Sequence, residues 1–294
     1  MKNRKGIILA GGTGSRLYPL TKSVSKQLLP VYDKPLIYYP LSTLMLAGIK
    51  DILIITTPRD KIAFKNLLGN GNNLGIKISY KTQEKPNGIA EAFIIGKSFI
   101  NNEDVCLVLG DNIFYGANFF EILQNSVKDV KNFKEAIVFG YYVNDPRAYG
   151  VVEFDQCNKV ISIEEKPKNP KSNYALVGLY FYPNDVIKYA EKIKPSSRGE
   201  LEITSINDLY LSSSRIKLKK LSRGYAWFDT GTHASLAEAS EFIRALETRT
   251  SLKIGCIEEI AYKMGYIDKE SLLKILNNTG NSSYMNYLKD LHSN

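Results

Sequence analysis

Gly6-Ile-Ile-Leu-Ala10 is an apolar run without a single polar side chain, and glycines follow it at 11, 12 and 14. A strand that does not alternate apolar with polar is buried on both faces, which requires helices above and below it. The first half of the chain repeats that arrangement. Asp51–Thr56, Lys77–Lys81 and Val105–Leu109 read as further strands, and amphipathic stretches follow at Asp60–Leu68, Ile89–Phe99 and Phe119–Val127. The alternation predicts an α/β fold, a Rossmann-like, mostly parallel sheet sandwiched by helices.

After about Glu135 the pattern changes. Ile137–Val143, Val151–Phe154, Val160–Ile163 and Ala175–Tyr182 are closely spaced strand-like runs with Asp145-Pro146 as a turn, and they extend the sheet with antiparallel members. From Thr232 the sequence turns helical, at Ser235–Leu246, Ile257–Met264, Lys269–Leu276 and Tyr284–Leu291. We expect a core over residues 1–230 and a helical appendage over 231–294.

Composition narrows the class. With 44% hydrophobic and 23% charged residues, the 294-residue chain can bury a substantial core. No apolar run approaches the ~18–20 residues that cross a bilayer, and Ile7–Ala10 is too short for a signal-peptide core. Cys106, Cys157 and Cys256, with two His and no CxxC pair, argue against a disulfide framework or a zinc site. A cytoplasmic chain with no membrane contact is expected. The formal charge is +9, and residues 1–150 hold 19 basic against 12 acidic side chains. That excess is either a solvated surface or an electropositive half that meets a phosphate-rich ligand. No block of five or six consecutive basic residues points to nucleic acid.

Leu9-Ala-Gly-Gly-Thr-Gly-Ser-Arg16 turns the chain directly after a strand. Glycines there let successive N–H groups face one concavity and hold phosphate oxygens. The dinucleotide fingerprint fails because Leu17 stands where it needs glycine, and the P-loop fails because Gly14-Ser15-Arg16 replaces Gly-Lys-Ser/Thr. What remains is a glycine loop that ends in Arg16, with Lys26 ten residues on. A fork-like guanidinium and a mobile ammonium together suit a triphosphate whose charge shifts during reaction. Asp111 follows an apolar strand and Asp229 sits in Trp227-Phe-Asp-Thr-Gly231. Each could be a plain turn or N-cap residue, or a ligand at the carboxyl edge of the sheet.

Longer segments carry a resemblance. The loop Leu9–Thr21, Lys26-Gln-Leu-Leu-Pro30, Val31–Gly48, Leu109-Gly-Asp-Asn-Ile-Phe-Tyr-Gly116, Arg198-Gly-Glu-Leu-Glu-Ile-Thr204 and Ala226-Trp-Phe-Asp-Thr-Gly-Thr-His233 resemble the sugar-nucleotide pyrophosphorylases, above all their thymidylyl-transferring members. The likeness runs from about residue 4 to about 276. It implies a fold of the nucleotide-diphospho-sugar transferase type. The nucleotide would bind in the first half of the core and the sugar phosphate in the second. The implied reaction joins dTMP from dTTP to α-D-glucose 1-phosphate by a single in-line displacement that releases pyrophosphate, the first step toward dTDP-rhamnose and related deoxysugars.

The resemblance also implies residue roles. Leu9, Gly11, Gly12, Thr13, Gly14, Ser15, Arg16, Lys26, Gln27, Gln83, Gly88 and Asp111 would surround the nucleotide. Gln83 and Gly88 would meet the thymine, since an amide matches a pyrimidine edge with N3–H and a carbonyl. Asn112, Tyr149, Gly150, Glu165, Lys166, Val177 and Arg198 would surround the sugar phosphate, with Glu165 on sugar hydroxyls and Lys166 on the phosphate. Arg16, Lys26 and Lys166 would be catalytic, and Asp111 and Asp229 would hold Mg²⁺. Arg223, Glu259 and Ile260 match a secondary pocket for the feedback ligand dTDP-rhamnose, in a homotetramer. Three positions depart from the family's common residues: Asn87 stands for Asp, Glu91 for Gln and Val177 for Thr. Two other readings stay open, a uridylyl- or cytidylyltransferase on a hexose 1-phosphate, and a silent nucleotide-sensing homologue.

Overall fold

A computed structural model describes residues 4–277 and 280–293; the remaining residues of the two expected regions, 1–3, 278–279 and 294, lie outside the described set. The first half runs β1 (Lys5–Ala10), a small antiparallel pair β2 (Pro30–Val31) and β3 (Lys34–Pro35), α1 (Tyr38–Leu46), β4 (Asp51–Thr56), α2 (Lys61–Leu68), β5 (Lys77–Thr82), α3 (Glu91–Ile95), α4 (Lys97–Ile100) and β6 (Val105–Leu109). β7 (Ile113–Gly116), α5 (Phe119–Phe133), β8 (Ala136–Tyr142), β9 (Gly150–Phe154), β10 (Val160–Glu165) and β11 (Tyr174–Tyr182) follow. The chain then passes through α6 (Val186–Ala190), α7 (Ile203–Ser212), β12 (Ile216–Leu221) and β13 (Tyr225–Phe228) into helices α8 (His233–Thr250), α9 (Ile257–Lys263), α10 (Lys269–Asn277) and α11 (Ser283–Ser293). The single helix expected over Ile89–Phe99 breaks into α3 and α4 at Gly96.

β1 lies at the centre of a nine-stranded sheet, parallel to β4 on one side and β6 on the other, and β5 extends the parallel set beyond β4. β11 pairs antiparallel with β6, and it also pairs with β8 and β9 because its register breaks between Leu176 and Tyr180. That one strand joins the parallel half to the antiparallel half. Side chains on the central strands point alternately into two cores. Ile8, Ile52, Ile54, Cys106 and Val108 enter one, and Ile7, Leu53, Ile55, Val105 and Leu107 enter the other. Period-two alternation between two buried faces is why these runs carry no polar residue.

Helices α9–α11 share the first core, since Ile257, Ala261, Leu272 and Leu288 pack with Leu41, Leu44 and Ile8, whereas α8 packs Ala239 and Ile243 into a third, smaller cluster with Val31, Leu36, Tyr39 and Ile113. α8 is tied down by charge. The buried Lys34 ammonium lies 2.5 Å from Asp33 Oδ1 and 3.0 Å from Glu247 Oε1. Lys253 closes the ring, pairing with Asp33 and reaching Glu247 Oε2 at 2.8 Å. Among the described residues, no helix is long and apolar enough to cross a membrane.

Removing Glu247 leaves two cations without half of their counter-charge in a dry site. We expect Glu247→Ala to lose about 3 kcal/mol of stability, measured by urea unfolding. A loss within ~0.5 kcal/mol of zero shows that the ring does not hold α8 to the β2–β3 pair.

Candidate active site

The carboxyl ends of β1, β5 and β6 lie along one edge of the sheet, and the loops that leave them carry the glycine turn, Gln83 and Asp111. This is the edge at which open α/β sheets hold ligands. The glycine loop passes through positive φ at Gly12 (92°) and Gly14 (60°), and Thr21 Oγ1 donates to Gly14 O at 2.8 Å to close it. A one-turn helix, Ser15–Leu17, follows; Leu17 is fully buried and anchors the turn, which leaves Arg16 exposed beside it.

Lys26 is nearly buried, and its ammonium donates to Asp111 Oδ2 at 2.7 Å and to the Asp229 carbonyl at 3.1 Å. One cation thus brings two aspartates 118 positions apart in the sequence to one place. The β7–β13 ribbon presents the second of them, pairing Phe228 with Ile113 just beyond Asp111. Thr230 Oγ1 donates to the Asp111 carbonyl at 2.7 Å, and that bond holds Thr230 in a left-handed conformation (φ 41°) that a β-branched residue rarely adopts. Asp229 Oδ2 accepts from the Tyr149 hydroxyl at 3.1 Å and Oδ1 from the Gly231 N–H at 3.2 Å. Directly after this turn, Thr232 and Ser235 form a reciprocal capping box that starts α8. Asn112, almost fully buried, donates to Asp111 Oδ1 at 2.8 Å and accepts from Trp227 Nε1 and Gly178 N.

Arg16, Asp111, Asn112, Tyr149, Gly150, Glu165, Lys166 and Asp229 line one cleft of about 280 Å³. The Arg16 guanidinium approaches Gly231 so closely that a Cβ there would lie 3.1 Å from a terminal nitrogen and 3.4 Å from Asp229 Oδ2. Lys166 leaves the end of β10 in a left-handed conformation (φ 45°), its N–H bonded to the Tyr149 carbonyl at 2.9 Å. Neither Arg16 nor Lys166 has a carboxylate within salt-bridge distance among the described residues. Two uncommitted cations therefore share the cleft with two anchored carboxylates. Glu165 is oriented by Thr204 Oγ1 at 2.5 Å and by Arg198, which forks onto Glu202 at 2.8 and 2.9 Å. Burial and the Asp229 charge push the Tyr149 phenol up to about 12.

The remaining expected residues spread around this cleft. Gln83 is buried against Gly11, and Gly88 (φ 108°) lies so close to the Leu201 main chain that no Cβ would fit. Gln27 is buried beneath Gly110, and Leu9 packs half-buried on the second core. Val177 points wholly into the first core, so its neighbours Leu176 and Gly178 line the cleft instead. Glu259 and Ile260 line a separate cavity of about 420 Å³ with Tyr115, Gly116 and Lys253, whereas Arg223 stands in an exposed turn and does not line it. Trp227 and Thr204 also line the active cleft; both lie in the quoted motifs, but no spacing rule separates them from their neighbours. Among the described residues, no three His, Cys, Asp or Glu side chains cluster as a metal cage. The two aspartates still suit a Mg²⁺ ion that takes its other oxygens from phosphates and water.

The geometry agrees with comparison to known proteins. The Nucleotidyl transferase family model matches residues 5–245. A glucose-1-phosphate thymidylyltransferase of Neisseria meningitidis is 53% identical over 97% of this chain and 98% of its own length. That of Mycobacterium tuberculosis is 54% identical over 98% of each chain. Among solved structures, a provisionally assigned glucose-1-phosphate thymidylyltransferase from Bacillus anthracis, in complex with sucrose, superposes with a TM-score of 0.75 and 43% identity over 82% of this chain and 95% of that one. A UDP-glucose pyrophosphorylase bound to UDP-glucose gives 0.73 and 25%, covering 83% of this chain and 99% of its own.

A phenol whose folded value is raised stabilises the fold while it stays protonated, and that contribution is lost as pH climbs from about 10 through about 12. Tyr149→Phe should therefore flatten the alkaline fall of stability across that window, read by thermal melts at stepped pH. Identical slopes in both proteins mean that the hydroxyl is not held by Asp229. On the match over most of its length and on these relatives, the chain belongs to the nucleotidyl transferase family, among the glucose-1-phosphate thymidylyltransferases.

Proposed function

We propose that the cleft joins the thymidylyl group of dTTP to α-D-glucose 1-phosphate and releases pyrophosphate. The observation that carries this reading is the pair of cations without a carboxylate partner, Arg16 and Lys166, in one cleft with Asp111 and Asp229, which Lys26 ties together. A phosphate oxygen of the sugar phosphate forms a bond to the α-phosphorus of dTTP, and the bond from that phosphorus to the bridging oxygen of the β-phosphate breaks. The attacking group is already an anion, so no protein base is required. Catalysis then rests on in-line positioning and on charge neutralisation.

Lys166 holds the attacking phosphate, and the exposed Arg16 fork takes up charge on the α-phosphate and the departing pyrophosphate. Lys26 fixes Asp111 and stands on the pyrophosphate side. Glu165, braced by Thr204 and Arg198, accepts from sugar hydroxyls and orients the hexose. Asp111 and Asp229 would hold Mg²⁺, which when bound would supply Lewis-acid neutralisation of the repelling phosphates. Tyr149 and the Gly231 N–H keep the Asp229 carboxylate turned toward that position. The glycine loop supplies main-chain N–H donors to the triphosphate, and Gln83 faces the base.

The second cavity, with Glu259 and Ile260, is the proposed seat of a feedback nucleotide sugar of the dTDP-rhamnose type. The cavity is lined by residues of α1, β7 and α9, and none of them lines the active cleft. We further propose a homotetramer, a catalytic core over residues 1–230 and a regulatory role for the helices after it.

Pyrophosphate release measured across four nucleotides and several hexose 1-phosphates, with and without Mg²⁺, tests the reaction. The highest kcat/KM is expected for dTTP with glucose 1-phosphate; a preference for UTP or CTP would replace thymidylyl by another transfer. Arg16→Ala should lower kcat by roughly a hundredfold or more without lowering the melting temperature, as removal of one preorganised charge donor does elsewhere. Near-normal turnover would discard the role given to Arg16.

A further inference from the structure

The amide of Gln83, buried against Gly11 of the glycine loop, has a donor face and an acceptor face, so which face meets the ligand decides which base can bind. Its two sides have very different surroundings. Gln83 Nε2 lies 2.7 Å from Glu91 Oε2 and 3.1 Å from the Gly88 carbonyl. A carboxylate and a carbonyl only accept hydrogen bonds, so both amide hydrogens are spent there and a flipped amide would set oxygen against oxygen. Gln83 Oε1 consequently points the other way, to 2.7 Å from where a Cβ of Gly11 would stand, and no donor among the described residues reaches it. Glu91 is itself held. Its second oxygen accepts from Asn87 Nδ2 at 2.8 Å, and it is the first residue of α3. Leu201 clamps the intervening segment from both sides, donating to Asn87 O at 2.6 Å and accepting from Ala90 N at 3.1 Å.

We propose that Glu91 is a positioning residue that locks the Gln83 amide with its oxygen toward the nucleotide, so that the site selects bases carrying a ring N–H and rejects those carrying a bare ring nitrogen. Thymine and uracil present N3–H to that oxygen. Cytosine presents a lone pair at N3, and two acceptors then face each other. The device does not read the 5-methyl group, so thymine and uracil nucleotides respond to it together. This inference rests on the base lying at Gln83, as in the proposed function.

The test compares kcat/KM for dTTP, dUTP and dCTP in the wild-type protein and in Glu91→Leu, which removes the acceptor that holds Gln83 Nε2. Calorimetric binding of dTDP and dCDP gives a second readout that does not depend on turnover. We expect the dTTP-to-dCTP ratio to fall about tenfold in Glu91→Leu, the worth of one charge-assisted hydrogen bond, with dUTP following dTTP and kcat at saturating dTTP little changed. Circular dichroism confirms that Glu91→Leu folds; if it does not, Glu91→Ala, which also lacks the acceptor, decides. An unmoved ratio, or an equal loss for all three nucleotides, overturns the role of Glu91. A wild-type protein that turns over no thymidine nucleotide fails separately, and it overturns the transfer reaction itself.

Discussion

The active cleft depends on the Lys26 ammonium, which lies almost out of water between the Asp111 carboxylate and the Asp229 main-chain carbonyl. Two aspartates brought together would repel one another strongly at low dielectric, and a fixed cation among them offsets part of that cost. The same contact joins three separate pieces of chain: the turn after the glycine loop, the end of β6 and the end of β13. Without it, nothing in the backbone ladder of the main sheet brings Asp229 to the carboxyl edge, because β13 pairs only with β7 and not with the sheet itself.

The surroundings of that contact are rigid for a reason. Asn112 uses every polar atom of its side chain, to Asp111, Trp227 and Gly178, and Thr230 and Lys166 keep left-handed backbones that L residues adopt only at a cost. Hydrogen bonds to Asp111 O and Tyr149 O hold both in place. A phosphoryl-transfer site gains rate mainly from fixed geometry and fixed charge, so local strain balanced by neighbouring bonds is consistent with such chemistry. Farther out, the Lys34–Asp33–Glu247–Lys253 ring does for α8 what Lys26 does for the cleft, joining the C-terminal helices to the β2–β3 pair.

The parallel half of the sheet is legible in the sequence because its strands are buried on both faces and read as unbroken apolar runs. Strands β1, β4, β5 and β6 lie within a residue of where hydropathy puts them. α1 is not legible in that way, since seven of its nine residues are buried and no polar face marks its period. β7 and β13 escape for the opposite reason: four residues each, half-buried, they are strands only because they pair with each other across more than a hundred positions. The site shows the same division. Arg16, Asp111 and Asp229 stand out by residue type within glycine turns and Lys26 by its spacing from the first of them, whereas the contacts of Trp227 and Thr204 come from their position against Asn112 and Glu165.

By itself the sequence determined the alternation of buried strands and helices, the glycine turn that ends in a guanidinium, and the likeness to transferases of sugar nucleotides. Hydropathy and residue chemistry are local properties, and they survive in one dimension. Only the tertiary structure decided that Asp229 meets Lys26, that Val177 turns inward while Gly178 faces the cleft, and that Glu91 and the Gly88 carbonyl take the two hydrogens of the Gln83 amide. Those are facts of direction and distance between residues far apart in the chain or on opposite faces of one strand. They are set by sheet register and by which hydrogen-bond partners remain unsatisfied when the chain closes, and no stretch of sequence carries either.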